Sequence, residues 1–424
     1  MNILFLAQVL PYPIDAGPKV RGYYNLRYLA DKHAVTLLSF VRPTDSSEAL
    51  SHLKSFCTRV ETIKMPRSRV RDGLSMVKSL LSSQPFLITR DEVPEMDLTL
   101  RKLIREKRFD AIHADQLWMA PYALKAKREA IKNGYHPRII LDQHNAVYLI
   151  PKRMAEASKN RFLKTWLKRE SKLMAEFEMQ TCRQFDHIVW VTQEDLKAVN
   201  SIASLLIKDN RKVAYYKALS EDNSIIPICV DPAETAPVDR VPEADEILFV
   251  GGMHWPPNAD GVTWFAKEVL PLVTKEHPQS RFVAVGKQPP EAITAMGRQV
   301  FAPGYVENID RYWANARVFV VPLRAGGGMR VKILDAWARG IPIVSTTIGA
   351  EGIIYNSGMD ILIADTPEEF SRAVSQVLID NDLAKRLSQY GRETLENHYD
   401  WKKVYPAWDR VYNPAFDSNN RQQI

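Results

Sequence analysis

The sequence predicts an α/β chain folded into two doubly wound parallel-sheet domains, and three observations carry that expectation. Short apolar runs alternate with amphipathic stretches from end to end, as parallel strands covered by helices on both faces require. The chain has 424 residues, enough for two domains of ordinary size that each bury a core. Between two equivalent series of runs lies Asp231-Pro-Ala-Glu-Thr-Ala-Pro-Val-Asp-Arg-Val-Pro-Glu-Ala-Asp245, rich in proline and acids and poor in large apolar residues, which reads as a linker.

In the first series Ile3–Val9, Val35–Phe40, Ala111–His113, Ile139–Leu141 and Ile188–Val191 are the strand candidates. In the second they are Ile247–Val250, Phe282–Val285, Val318–Val321, Ile341–Val344 and Ile361–Ile363. A last helical pattern, about Trp401 to Tyr412, repeats Trp401, Val404, Trp408 and Val411 on one face, and the polar run Asn419–Ile424 is expected to fray.

Composition sets the class. Apolar content of 46% and charged content of 25% are those of a soluble globular protein, and a net charge of +7 suits anionic partners. Nucleotide sugars, phosphorylated lipids, membrane surfaces and nucleic acid all qualify. Cys57, Cys182 and Cys229 are odd in number and far apart, which argues against a disulfide framework or a zinc site and for a reducing compartment. The start, Met1-Asn-Ile-Leu-Phe-Leu-Ala7, lacks a basic region and runs toward Pro11 and Pro13, so it reads as a buried strand rather than a signal peptide. No apolar run approaches the ~20 residues of a spanning helix. The expected location is cytoplasmic, with membrane contact at most peripheral.

The chemistry concentrates between Pro322 and Gly352. Gly326, Gly327 and Gly328 let the backbone turn with its N–H groups exposed, and the helix they open adds unpaired N–H groups and a positive dipole end. Arg330 and Lys332 stand where cations oppose that dipole, so their presence calls for an anionic ligand, and a diphosphate fits. A bare tight connection with solvated charges is the plainer reading. The rest of the segment counts against it: Gly340 is a helix stop, Pro342 comes next, and Ile341–Val344 is a buried strand, giving strand, glycine turn, helix, strand.

This segment resembles the nucleotide-sugar signature of retaining glycosyltransferases of family 4, whose GT-B architecture sets two Rossmann-like doubly wound domains around a central cleft. The family signature carries two Glu residues with seven residues between them, the second on the donor ribose and the first on the sugar. Here the second stands as Asp335 and the first as Gly327, and the usual Arg after the first strand of the second half is replaced in the run Gly251-Gly252-Met253. The resemblance is therefore to a branch with a Gly-Gly-Gly-x-Arg-x-Lys donor loop, in which Arg330 and Lys332 are the chief diphosphate cations. It implies domains over 1–230 (acceptor side), 246–395 (donor side) and a terminal helix, 396–415, crossing back to the first, with 231–245 as linker.

The resemblance also assigns residues. Gly252, Gly304, Tyr305, Val306, Gly326, Gly327, Gly328, Met329 and Asp335 would bind the donor, with Gly304-Tyr305-Val306 at the nucleobase. In the loop Pro11-Tyr-Pro-Ile-Asp-Ala-Gly-Pro-Lys-Val-Arg21, which comes after the first strand, Asp15, Gly17, Lys19 and Arg21 would lie near acceptor or donor phosphates; an ordinary turn with surface charges is the alternative. His144, in Leu141-Asp-Gln-His-Asn145, occupies a position where a family His stands beside the sugar, able to accept or donate a proton, and Asp115 has a similar place after its own strand.

Asp380-Asn-Asp382 looks like the metal motif of a different glycosyltransferase fold, but it precedes a helical pattern that needs an N-cap, so no metal and no cofactor is expected. Two basic amphipathic stretches remain. Val70, Leu74, Val77 and Leu81 lie beside Arg67, Arg69, Arg71 and Lys78; Phe162, Trp166, Leu173 and Phe177 lie beside Lys159, Arg161, Lys164, Lys168, Arg169 and Lys172. Each suits either an anionic membrane surface or a core-facing helix with a solvated back.

The expected function is retaining, metal-independent transfer of a sugar from a UDP- or GDP-linked donor to a glycan or lipid-linked acceptor in polysaccharide or glycolipid assembly. Two other classes fit less well. A nicotinamide oxidoreductase needs G-x-G-x-x-G after a first strand, whereas the turn after Val250 is Gly-Gly-Met-His-Trp-Pro. A nucleic-acid-binding protein needs its cations clustered with stacking aromatics, whereas here they spread over helices, so no nucleic-acid partner is expected.

Overall fold

The computed structural model describes residues 1–158, 160–206, 223–241 and 245–413. Lys159, the linker residues 242–244 and the terminal residues 414–424, including the end expected to fray, lie outside the described residues. Two compact units form, one of Met1–Cys229 together with the chain from Val404, the other of Val230–Lys403.

In the first unit the elements run β1 (Asn2–Ala7), α1 (Gly17–Lys32), β2 (Ala34–Val41), α2 (Ser47–Lys54), β3 (Arg59–Lys64), α3 (Arg69–Ser82), α4 (Phe86–Arg90), α5 (Pro94–Glu106), β4 (Ala111–Asp115), α6 (Ala120–Lys132), β5 (Arg138–Gln143), α7 (Leu149–Ala157), α8 (Arg161–Cys182), β6 (His187–Trp190), α9 (Gln193–Leu206) and β7 (Asn223–Ile225). The strands form one parallel sheet in the order β3-β2-β1-β4-β5-β6-β7. The inner strand β1 is wholly apolar from Ile3 to Ala7 because helices cover both faces, and all five residues are fully buried. The order turns back between β1 and β4, so the loops after these two strands diverge and leave a crevice at the carboxyl edge.

The second unit repeats the plan with β8 (Glu246–Val250), α10 (Pro256–Trp264), α11 (Leu270–Glu276), β9 (Arg281–Val285), α12 (Glu291–Thr294), β10 (Val300–Gly304), α13 (Asp310–Asn315), β11 (Ala316–Val321), α14 (Val331–Ala338), β12 (Ile343–Ser345), β13 (Leu362–Ile363), α15 (Pro367–Ile379) and α16 (Asn381–His398). Its parallel order is β10-β9-β8-β11-β12-β13, which places the equivalent crevice between β8 and β11. Local chemistry fixes the helix ends. Thr366 and Glu369 form a reciprocal capping box ahead of α15, and Asp380 accepts from Leu383 N at 2.9 Å, so the acid expected to cap α16 does so.

The fold class is as expected, and the differences have physical reasons. Three strands escaped the apolar-run reading, β3, β7 and β10, and all three lie at sheet edges, where one flank has no neighbouring strand among the described residues and burial asks less of the side chains. The described part of the expected linker belongs with the second unit. Asp231 accepts from Ala233 N and Trp401 Nε1 at 3.0 Å each, and Arg392 donates to Thr235 O at 2.8 Å. The chain rejoins the first unit at Val404 rather than at 396. The pattern over 401–412 is two short helices, Trp401–Val404 and Ala407–Tyr412, because Pro406 has no N–H to continue the first and constrains the residue before it. No helix among the described residues is long and apolar enough to cross a membrane.

Candidate functional site

In the second unit, the loop after β8 carries Gly251 and Gly252, and the loop after β11 carries Pro322 to Arg330. Gly326 has φ +127 and Gly328 φ +75, conformations that L side chains rarely adopt, so the bend depends on glycine. Gly326 also makes room: a Cβ there would lie 2.8 Å from Nη2 of Arg330. The guanidinium turns back on the bend, Nη1 donating to the carbonyls of Gly327 at 2.6 Å and Gly328 at 2.8 Å, with Nη2 3.4 Å from Ile348 O and 3.8 Å from Glu351 Oε2. Arg330, expected as a diphosphate cation, is therefore buried and engaged in shaping the loop.

Lys332 is different. Its Nζ donates to Asn258 Oδ1 at 3.1 Å, lies 4.1 Å from the centre of the Phe249 ring, and packs so closely on Gly251 that a Cβ there would stand 2.7 Å away. Among the described residues no carboxylate pairs with it. Burial first, and the neighbouring Arg330 charge second, push its ammonium down to about 7. The other end of the Asn258 amide donates to Gly252 O at 2.8 Å, so one side chain ties the β8 loop to the lysine. The next helix, α14, has Arg330 at its N-cap and no side-chain cap; the Ile333 N–H turns back to Arg330 O at 2.9 Å, and among the described residues the Val331 and Lys332 N–H groups stay open to an anion. Uncapped amides and an unneutralised ammonium converge where the order of the sheet reverses.

The other expected donor residues fall into two groups. Met329 is buried in the loop, and Asp335 lies one turn along α14, where it pairs with Arg339; burial raises its carboxyl and that arginine opposes the rise. Gly304, Tyr305 and Val306 lie at the end of β10 on the sheet edge, two strands from the crevice, with Tyr305 exposed beneath the Lys287 ammonium at 4.8 Å.

In the first unit, α1, β4 and β5 bring Arg21, Asp115, Asp142 and His144 together. Arg21, expected near phosphates, is fully buried instead. Its Nε is 2.8 and 2.9 Å from the two carboxylate oxygens of Asp142, Nη2 is 2.5 Å from Oδ1, and Nη1 donates to Ile226 O at 2.7 Å. No local pattern marks the position, since every residue of α1 from Val20 to Leu26 is buried and Arg21 lies inside that run. Burial works against ionisation of Asp142, yet Arg21, His113 and His144 around it hold it well below the usual carboxylate range.

His144 Nε2 lies 2.8 Å from Asp115 Oδ1 and 3.6 Å from Asp142 Oδ2. Burial alone would lower its pKa, but the two carboxylates overcome that and raise it to about 9, so the ring is an imidazolium near neutrality and a donor rather than a base. Its Nδ1 is buried without a partner among the described residues. Glu178 of α8 pins the next residues, accepting from Val147 N at 2.9 Å, Tyr148 N at 3.1 Å and the Gln143 amide, and burial pushes its carboxyl up to about 8 against those bonds. His113, Asp115 and Asp142 are close enough to hold a metal, but Arg21 and His144 already bind the two carboxylates. Asp15 and Lys19 form a surface ion pair at 3.0 Å, beside Gly17 at the start of α1.

Sequence reasoning missed Asn258, Asp142 and Glu178. Asp142 was within reach, standing two residues before His144, but nothing in the sequence pairs it with an arginine 121 positions away.

Residues 244–380 match the family described as Glycosyl transferases group 1. An uncharacterized 44.6 kDa protein in the cps region of Klebsiella pneumoniae is 28% identical over 172 residues, 38% of this chain and 44% of that protein. The lipopolysaccharide core biosynthesis glycosyltransferase LpsE of Rhizobium meliloti is 35% identical over 114 residues, 26% of this chain and 33% of LpsE. The chain thus spans less than half the length of the curated relatives it matches. Among solved structures, Anabaena HepE in complex with UDP and glucose superposes with a TM-score of 0.65 at 12% identity, over 97% of this chain and 99% of HepE. The chain has the fold of the GT-B glycosyltransferases, two Rossmann-like α/β domains, and its segment 244–380 is similar to the group 1 glycosyl transferases.

Proposed function

We propose that the chain is a retaining glycosyltransferase that moves a sugar from a nucleotide sugar to a hydroxyl of a glycan or lipid-linked acceptor in cell-surface polysaccharide or glycolipid assembly. The observation that carries this reading is the unneutralised Lys332 beside an uncapped helix start and a glycine bend, at the crevice of the domain matched to glycosyl transferases. A nucleoside diphosphate supplies the missing negative charge. The names of the relatives support the pathway class, and the UDP and glucose held by HepE make uridine donors the first to test.

As the bond to the anomeric carbon breaks, negative charge grows on the departing diphosphate. Lys332 and the amides of 326–328 meet that charge with donors already in place, stabilising the transition state more than the bound donor. Arg330 holds the bend in shape and adds its field from behind. These groups let the reaction proceed without a metal, consistent with Asp380 serving as a helix cap. In the first unit, the Nδ1–H of the His144 imidazolium, which has no partner among the described residues, is a donor for a substrate oxygen, oriented by Asp115. Retention of configuration rests on the resemblance of the strand, glycine turn, helix, strand segment to the family signature. The oxidoreductase and nucleic-acid readings gain no support.

Calorimetric titration with a panel of UDP-, GDP- and ADP-sugars tests the proposal, and we expect one base to bind at micromolar to millimolar strength. Binding of none of them would refute it. Proton NMR of the anomeric centre in the product decides between retention and inversion.

A further inference from the structure

The first unit carries an apolar helix face that its core does not use. On α3, Val70, Leu74, Val77 and Leu81 recur at helical spacing and are 75%, 68%, 54% and 83% exposed, with Leu80 at 55%. The residues α3 buries are Ser75 and Ser79, so the helix packs through its small polar side and turns its aliphatic side outward. That is the reverse of a core-facing helix. Next to it the first turn of α8 presents Phe162, 89% exposed, and Leu163. One bond ties α8 to α3, Arg169 donating to Ser79 O at 3.0 Å, and α4 bridges beside it, where Phe86 meets Trp166 edge to face at 6.1 Å.

Cations surround these apolar side chains. Arg67, Arg69, Arg71 and Lys78 flank the first stretch, where Arg67 pairs with Asp91 at 2.7 Å and Lys78 with Glu92; Arg161, Lys164, Lys168, Arg169 and Lys172 flank the second, where Arg169 pairs with Glu170 at 3.0 Å, so the excess of positive charge lies mainly on α8. Monomeric soluble proteins rarely expose contiguous apolar groups on this scale without a use for them. A second copy of the same face would bring like charges together, whereas an anionic bilayer takes leucine and phenylalanine at the acyl boundary and lysine and arginine at the headgroups. We propose that the α3 face and the first turn of α8 form a docking surface for an anionic lipid bilayer.

The test uses the full chain and vesicles of phosphatidylcholine with or without phosphatidylglycerol. Co-sedimentation is expected with the anionic vesicles, weakened by salt, and absent with the neutral ones. The triple variant Leu74→Ser, Leu81→Ser, Phe162→Ser should lose about tenfold in vesicle affinity, and Lys168→Glu with Lys172→Glu should abolish binding. All five positions are solvent-exposed, so an unchanged melting curve is expected. Equal sedimentation of wild type and the triple variant would overturn the proposal. So would a concentration-dependent dimer that the triple variant dissolves, since the occupant would then be a second copy. Nucleotide-sugar titration of the triple variant reads the second unit alone and is expected unchanged, which separates this inference from the donor-site reading.

Discussion

In the first unit the Arg21 guanidinium and the His144 imidazolium are matched at hydrogen-bond distance by Asp142 and Asp115, whereas in the second the Lys332 ammonium meets, among the described residues, an amide oxygen and an aromatic face but no carboxylate. The two crevices occupy the same place in the same kind of sheet, yet one closes its charges internally and the other leaves positive charge open. A closed cluster serves architecture and the orientation of a donor such as His144. An open one waits for an anion, and burial without a counter-charge drives Lys332 toward giving up its proton.

The largest expected effect breaks the closed cluster. Arg21→Met leaves Asp142 buried without its guanidinium and should destabilise the first unit by about 3–5 kcal/mol in urea unfolding. A variant as stable as wild type would show that the pair is not what matches these charges. Lys332→Met should behave oppositely, leaving the unliganded chain no less stable while weakening nucleotide-sugar binding by roughly 2 kcal/mol, about thirtyfold, in calorimetry. Loss of stability without loss of affinity would erase the contrast.

The pH responses sharpen it further. His144 titrates near 9, above its ordinary 6.5, so its stabilising contribution is full below 6.5 and fades as pH rises through 9. Lys332 titrates near 7, below its ordinary 10.5, so its contribution is full above 10.5 and fades as pH falls through 7. Between these values a rise in pH should loosen the first unit and tighten the second, which hydrogen exchange resolved by unit can read. A bound diphosphate should also return Lys332 to its charged form, so donor binding near pH 8 takes up close to one proton, measured by titration in buffers of different ionisation enthalpy. The smallest effect is expected at the capping acid: Asp380→Ala should cost about 1 kcal/mol of stability and leave turnover without added metal unchanged.

Much of the fold was legible because both sheets are central, parallel and covered, so their inner strands must be continuous apolar runs such as Ile3–Ala7 and Val318–Val321. The edge strands β3, β7 and β10 were not, because the burial that makes the pattern is relaxed at an edge. At the site, the glycine bend and its cations were visible as a local motif, while the difference between them was not. Arg330 turns inward because Gly326 leaves it room, and Lys332 stays open because Asn258, 74 positions earlier, brings an amide rather than an acid.

Sequence alone determined the class of the molecule, the capped helix starts and the glycine turn, since backbone conformation, periodicity and capping depend on neighbours a few residues apart. Only tertiary structure decided which charges are neutralised and which apolar stripe faces outward. Arg21 meets Asp142, and α3 buries its serines, through contacts between residues distant in the chain, and no local pattern encodes a partner that folding supplies from elsewhere.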